Sequence, residues 1–169
     1  MNIKQNYKIA YSALFTAIII LSNLLLKIPI PGGEGYLNIS DAFIIICCFL
    51  LPAPFGITAS LLGSGLSDLI SGYAFYIPGT LVAKLLPAAA TYIILKKDLS
   101  KKKAVICIVL LVSEILSAGI YFLYDYLVIK LGPVATLDLF YNLIQGVVSV
   151  ILAVALHFTT YKFKNKVIK

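Results

Sequence analysis

From about Tyr7 to Tyr161 the chain is a succession of six apolar runs, each separated from the next by a short polar stretch or by proline and glycine. Of its 169 residues 61% are hydrophobic and only 12% charged, with a mean hydropathy of +1.01. A soluble domain carries about 25% charged residues, so this composition reads as an integral membrane protein. At ~20 residues per span the length holds six helices and short loops, with no soluble domain beside them. The expected fold is an all-α integral membrane protein: one six-transmembrane-helix bundle over 1–169, with helices near 7–26, 40–51, 55–71, 78–95, 104–129 and 137–161. The first run follows a short basic tail and lacks a small-residue cleavage site. It reads as a retained helix and not as a signal peptide.

The basic residues set the expected orientation. All 14 are lysine, giving a net charge of +7. With six spans, eleven fall on the side of the termini and the Lys96–Lys103 loop, two (Lys27 and Lys130) on the other, and Lys84 lies within a span. The positive-inside rule then places both termini in the cytoplasm. The absence of arginine argues against phosphate forks and nucleic-acid readout, where the planar guanidinium is favoured. No tandem repeat is visible, and the halves do not read as inverted copies.

Within this frame the stretch LLGSGLSDLISGYAFYIPGTLVAKLLP, Leu61–Pro87, stands out. Two apolar runs meet at a Gly-Tyr-Pro turn, each with one charge: Asp68 and Lys84. A charge at mid-membrane depth costs ~2.5–3.5 kcal/mol on insertion scales, so it faces a protein interior and marks a functional site by default. The hairpin is expected to form the floor and one wall of a small-molecule pocket. The plainer alternative is a buried Asp68–Lys84 pair that only fixes helix packing.

The rest of the chain adds to the same level. In the first helix Ala10, Ala13 and Ala17 recur at helical spacing beside Ser12 and Thr16, a small-residue face for close helix approach, either inside the protein or with a partner. The loop KIPIPGGEGYLNISD, Lys27–Asp41, is broken by prolines and glycines and carries Glu34, Tyr36, Asn38 and Asp41; such loops often cap sites. Asn38 or Ser40 is placed to cap the second helix. The third helix is rich in Gly, Ala and Ser, for tight packing or ligand space. Pro87 is expected to kink the fourth helix or free a carbonyl one turn back. In the proposed topology Asp41, Asp68, Lys84 (~9 Å along its helix), Asp125, Asn142 and Gln145 (within ~12 Å of their helix start) all lie toward the outer face. Tyr36, Tyr73, Tyr76, Tyr121 and Tyr124 share that level, as pocket walls or as an interfacial belt. Together they point to an outward-facing, tyrosine-lined pocket for a small polar aromatic ligand. The candidate binding residues are Asn38, Asp41, Asp68, Tyr73, Tyr76, Lys84, Asn142 and Gln145.

Catalysis finds little support. HExxH, GxSxG and GxxxxGK[ST] are absent. The lone His157 sits at the cytoplasmic end of the last helix and reads as an interface residue. Cys47, Cys48 and Cys107 lack metal spacing and read as small buried hydrophobes. No catalytic residue, metal or cofactor is expected. Glu114 stands deeper and apart, near Ser113 and Ser117.

Six helices in so short a chain, Ala13-Leu-Phe-Thr-Ala17, GYLNISDAF (Gly35–Phe43) and SDLISGYAFYIPGTLVAKLL (Ser67–Leu86) resemble the S component, the substrate-binding membrane subunit, of an energy-coupling-factor (ECF) vitamin transporter. The last two segments look like pocket-building segments of its pyridoxine and hydroxymethylpyrimidine branch. The riboflavin branch's pocket pattern is not evident, and riboflavin stands as an alternative substrate. The resemblance implies a bacterial plasma-membrane protein that binds a vitamin from outside, topples in the bilayer and docks on a T component driven by two cytoplasmic ATPases. It implies Ala13 and Ala17 as the docking face, Lys27–Leu37 as a lid and Gly72–Ile77 as part of the closure. A self-sufficient carrier or channel using Glu114, or a purely structural membrane subunit, are the other readings left by the residues alone.

Overall fold

The computed structural model describes residues 3–26, 28–29, 36–99 and 102–167. Six α-helices carry the fold: α1 (Ile3–Leu25), α2 (Ser40–Leu50), α3 (Ala53–Ile70), α4 (Ile77–Lys96), α5 (Lys103–Tyr124) and α6 (Val134–Val167). A short antiparallel pair, β1 (Ile28–Pro29) and β2 (Tyr36–Leu37), joins α1 to α2. A 3-10 turn, Ala74–Tyr76, leads into α4, and a π-helical turn, Asp125–Ile129, ends α5. Four stretches among the described residues are long and apolar enough to cross a membrane: Gln5–Leu25, Ala74–Lys96, Lys103–Ile129 and Val134–Thr159. Helix α2 is apolar but short, and α3 is diluted by its glycines and serines.

The short α2 is the hub. It packs against α1, α3, α4 and α6, and eight of its eleven residues are buried. A helix that is apolar around its circumference must be surrounded, and the run Ile44-Ile-Ile-Cys-Cys48 meets that condition. Ala42, Ile45 and Ile46 join Ala90, Ile94, Ile106, Leu110, Val150 and Ala153 in the main core. Cys47 and Cys48 are fully buried free thiols in this packing, as small hydrophobes would be. Large apolar residues such as Leu62, Leu69, Val82, Ile93, Ile108, Ile115 and Ile151 instead face outward, each about half exposed. Such an apolar exterior suits lipid and not water.

Helix α1 lies along α3. Ser12 and Thr16 hydrogen-bond their own i−4 carbonyls and reach the Phe55 and Ala59 carbonyls of α3 at 3.4 Å. Gly63 permits the approach: a Cβ there would lie 2.8 Å from Ile19 Cγ2 and 3.2 Å from the Thr16 carbonyl. The small residues of α3 are therefore used largely for packing. Ala10, Ala13 and Ala17 point the other way and are exposed, so they do not serve packing within this chain.

Other expectations need correction. Helix α6 begins at Val134, not Leu137, so Asp138 sits in its second turn and not at its start. The α2 N-cap position falls on Ile39, although Asn38 Oδ1 still accepts from the Ser40 amide at 2.8 Å and from its hydroxyl at 2.6 Å. Helix α4 continues through Pro87, as the helix expected over 78–95 does, and the Pro87 carbonyl accepts from Thr91 Oγ1 at 2.8 Å. His157 is buried and stacked on Phe49 with ring centroids 4.0 Å apart, not at an interface. Most of the loop expected as a lid, including Lys27 and Glu34, lies outside the described residues.

Candidate functional site

Four helices meet at one buried ion pair. Asp41, in the first turn of α2, faces Lys84, two turns into α4: Lys84 Nζ is 2.7 Å from Oδ1 and 2.8 Å from Oδ2. The side chains are 1% and 6% exposed. The partner of Lys84 is thus Asp41 and not Asp68. The reason lies in where the helices cross: α2 passes between α4 and α6, placing its first turn opposite Lys84. Gln145 of α6 completes the arrangement. Its amide nitrogen donates to Asp41 Oδ2 at 2.8 Å, and its oxygen accepts from the Asn38 backbone amide at 2.9 Å. From α5, the Tyr121 ring lies 5.3 Å from Lys84 Nζ, near enough for a cation–π contact. The Tyr121 hydroxyl donates to Thr80 Oγ1 at 3.2 Å. The network joins residues up to 107 positions apart in sequence, so it forms only when the bundle is assembled.

Beside this network lies a cavity open at one end. Asn38, Asp68, Tyr73, Tyr76, Lys84, Asn142 and Gln145 line it, seven of the eight residues singled out from sequence. The eighth, Asp41, sits behind the wall and holds Lys84 and Gln145 in place. Tyr73 precedes the 3-10 turn and Tyr76 ends it, and the Tyr73 amide donates to the Asp68 carbonyl at 2.8 Å. That bond fastens the turn to the end of α3. Tyr76 packs against the Tyr124 ring, whose hydroxyl donates to the Phe75 carbonyl at 2.6 Å. Tyr124 therefore braces the turn from outside the cavity. The side chain of Tyr36 lies outside the described residues.

Six lining residues were absent from the set chosen by sequence: Asn23, Ser64, Thr80, Tyr121, Asp125 and Asp138. Asn23 carried a signal, an amide near the end of an apolar helix; its Nδ2 donates to Ser67 Oγ at 3.1 Å. Tyr121 and Asp125 were at the right level but had no assigned face. Asp138, at the expected start of α6, carried no signal that it faced the bundle interior. Ser64 and Thr80 are polar residues within apolar helices, too common in membrane helices to single out.

Glu114 is not apart. It is 5% exposed and lies within electrostatic reach of Asp41 and Lys84, beneath the ion pair on α5. A Cβ at Gly146 of α6 would stand 2.7 Å from Glu114 Cβ, so this glycine admits the acid to the helix interface. Five of the seven acidic residues, Asp41, Asp68, Glu114, Asp125 and Asp138, thus gather in or just below the cavity. Among the described residues no cluster of His, Cys, Asp and Glu has the arrangement of a metal site.

The fold matches known membrane subunits. The chain superposes on the S component of a bacterial ECF transporter with a TM-score of 0.71 at 22% identity, covering 94% of this chain and 98% of that one. It superposes on the S component for biotin of an ECF-type ABC transporter with a TM-score of 0.69 at 18% identity, covering 96% and 95%. At these identities the likeness speaks for the fold. A 64-residue segment is 39% identical to an uncharacterized protein in the gap 3′ region of Pyrococcus woesei; it spans 38% of this chain and 43% of that protein's length. The sequence pattern of ECF-type riboflavin transporter S components matches residues 3–162. These are transport subunits and not enzymes. With the match running over nearly its whole length, the chain belongs to the family of ECF-type riboflavin transporter S components.

Proposed function

We propose that this protein is the substrate-binding subunit of an ECF-type importer and captures a small aromatic vitamin or precursor, pyridoxine-like or hydroxymethylpyrimidine-like, in the cavity lined from α1, α3, α4, α5 and α6. The observation that carries the reading is the cavity itself: tyrosines at its turn, amides from Asn38, Asn142 and Gln145, and carboxylates, all lining one opening in an otherwise apolar bundle. Aromatic walls stack on a heterocycle, and a few directed polar groups fix its orientation. The lysine distribution supports six spans with both termini cytoplasmic, which turns the cavity outward. The exposed face of Ala13 and Ala17 on α1 suits close approach by a T-component helix, with two cytoplasmic ATPases supplying the energy. A bacterial plasma membrane is the setting this implies.

Riboflavin is the second reading, favoured by the family to which the chain belongs. Native mass spectrometry of the gently purified protein, followed by titration with pyridoxine, hydroxymethylpyrimidine, thiamine and riboflavin, separates the two. One tight ligand, lost on Asp68→Ala or Lys84→Ala, is the expected result and names the substrate. Binding of riboflavin alone supports the second reading. No binding across the panel refutes both, and transport by this chain alone in liposomes refutes the need for partners.

A further inference from the structure

The charges around the cavity do not balance. Three carboxylates line it, Asp68, Asp125 and Asp138, against one cation among the described lining residues, Lys84. Lys84 is already committed, with both oxygens of Asp41 within 2.8 Å. Its charge is thus answered from behind the wall. Asp125 is different. It is 2% exposed and accepts a hydrogen bond from Tyr76, yet its Oδ1 is buried at the cavity with no hydrogen-bond partner among the described residues. Ser64 Oγ, on a side chain 2% exposed across the same cavity, is likewise unpartnered. Asp138 lies close enough to Asp125 to add to the negative potential there.

A buried carboxylate oxygen without a donor is costly to leave unmet. Here the missing donor lies on the side of the cavity. Asp125 is also the first residue of the π-helical turn, Asp125–Ile129, a departure from α-geometry that recurs at functional sites. Resting on the reading of the chain as a vitamin-binding subunit, we propose that Asp125 is a specificity-determining residue and that the cavity selects a ligand bearing a positive charge. The charged end of the ligand lies against Asp125 Oδ1, and a polar substituent reaches Ser64. An anionic ligand meets like charge from Asp125 and Asp138, with Lys84 unavailable to receive it. A neutral ligand leaves the Asp125 charge unanswered.

The test is a binding titration of the full-length protein in detergent with thiamine (a fixed cation), pyridoxamine (an ammonium), riboflavin (neutral) and biotin (a carboxylate). The expected tightest ligand is one of the two cations. Asp125→Asn keeps the side-chain shape and removes the charge; it should weaken that ligand by about tenfold to hundredfold and change riboflavin affinity by less than about threefold. Riboflavin or biotin as the tightest ligand overturns the inference while leaving the binding-subunit reading intact. An unchanged cation affinity in Asp125→Asn also overturns it. Binding of none of the four, nor of the wider vitamin panel, overturns both together. The ranking in the unmodified protein requires no variant, so a poorly folding Asp125→Asn does not leave the inference untested.

Discussion

Removing one member of the Asp41–Lys84 pair should cost far more than removing both. In Lys84→Met the lysine stem is replaced by an apolar chain of similar length. Asp41, 1% exposed on its side chain, loses both contacts to the ammonium, at 2.7 and 2.8 Å, and keeps only the Gln145 amide. Breaking a buried pair in this way costs about 3–5 kcal/mol. Asp41→Asn takes the paired charge from a buried ammonium, leaving it an amide oxygen, the Tyr121 ring at 5.3 Å and Glu114 within electrostatic reach, and should cost a comparable amount. The double variant removes both charges and should lose no more than about 1 kcal/mol, since a buried pair replaced by neutral groups is often neutral or better. On these figures a double-mutant cycle gives a coupling energy of about 5–9 kcal/mol. The assay is thermal unfolding in detergent, where 1 kcal/mol corresponds to roughly 2–4 °C in a chain of this size. The single variants should then fall by about 6–20 °C and the double variant by a few degrees. Additive losses would refute the view that the pair is one electrostatic unit.

Three further outcomes follow from the geometry. Ala13→Phe with Ala17→Phe should abolish vitamin uptake by the assembled transporter while ligand affinity of the isolated protein changes by less than about twofold, because both residues are exposed on α1; loss of binding would count against a docking role. Gly63→Ala should lower stability by about 1–3 kcal/mol, since its Cβ would press on Ile19 at 2.8 Å, and thermal unfolding reads the loss directly. Glu114→Gln keeps the shape beside Gly146 and removes a buried carboxylate whose Oε1 has no hydrogen-bond partner among the described residues. It should retain vitamin uptake in reconstituted vesicles, and abolished uptake with intact binding would instead identify Glu114 as a coupling carboxylate.

The apolar runs alone determined the membrane class and six helices, because in lipid the backbone must satisfy its own hydrogen bonds and the length of each run sets the element. They also placed seven lining residues at one level, since polar side chains in apolar helices have few other places to go. Partner choice was beyond the sequence. Asp41 and Asp68 were both acids near the ends of their helices, and only the passage of α2 between α4 and α6 gave Lys84 to Asp41. The same limit hid Glu114 and Asp138: periodicity assigns a depth and a face, but not what faces it across the bundle. The alanine stripe of α1 was ambiguous for a related reason. Small residues permit close approach without naming the neighbour, and the neighbour α3 took the Ser12–Thr16 face, leaving Ala13 and Ala17 outside. Helix formation in a bilayer is local and legible along the chain; contacts between helices depend on crossing geometry, which exists only once the bundle has assembled.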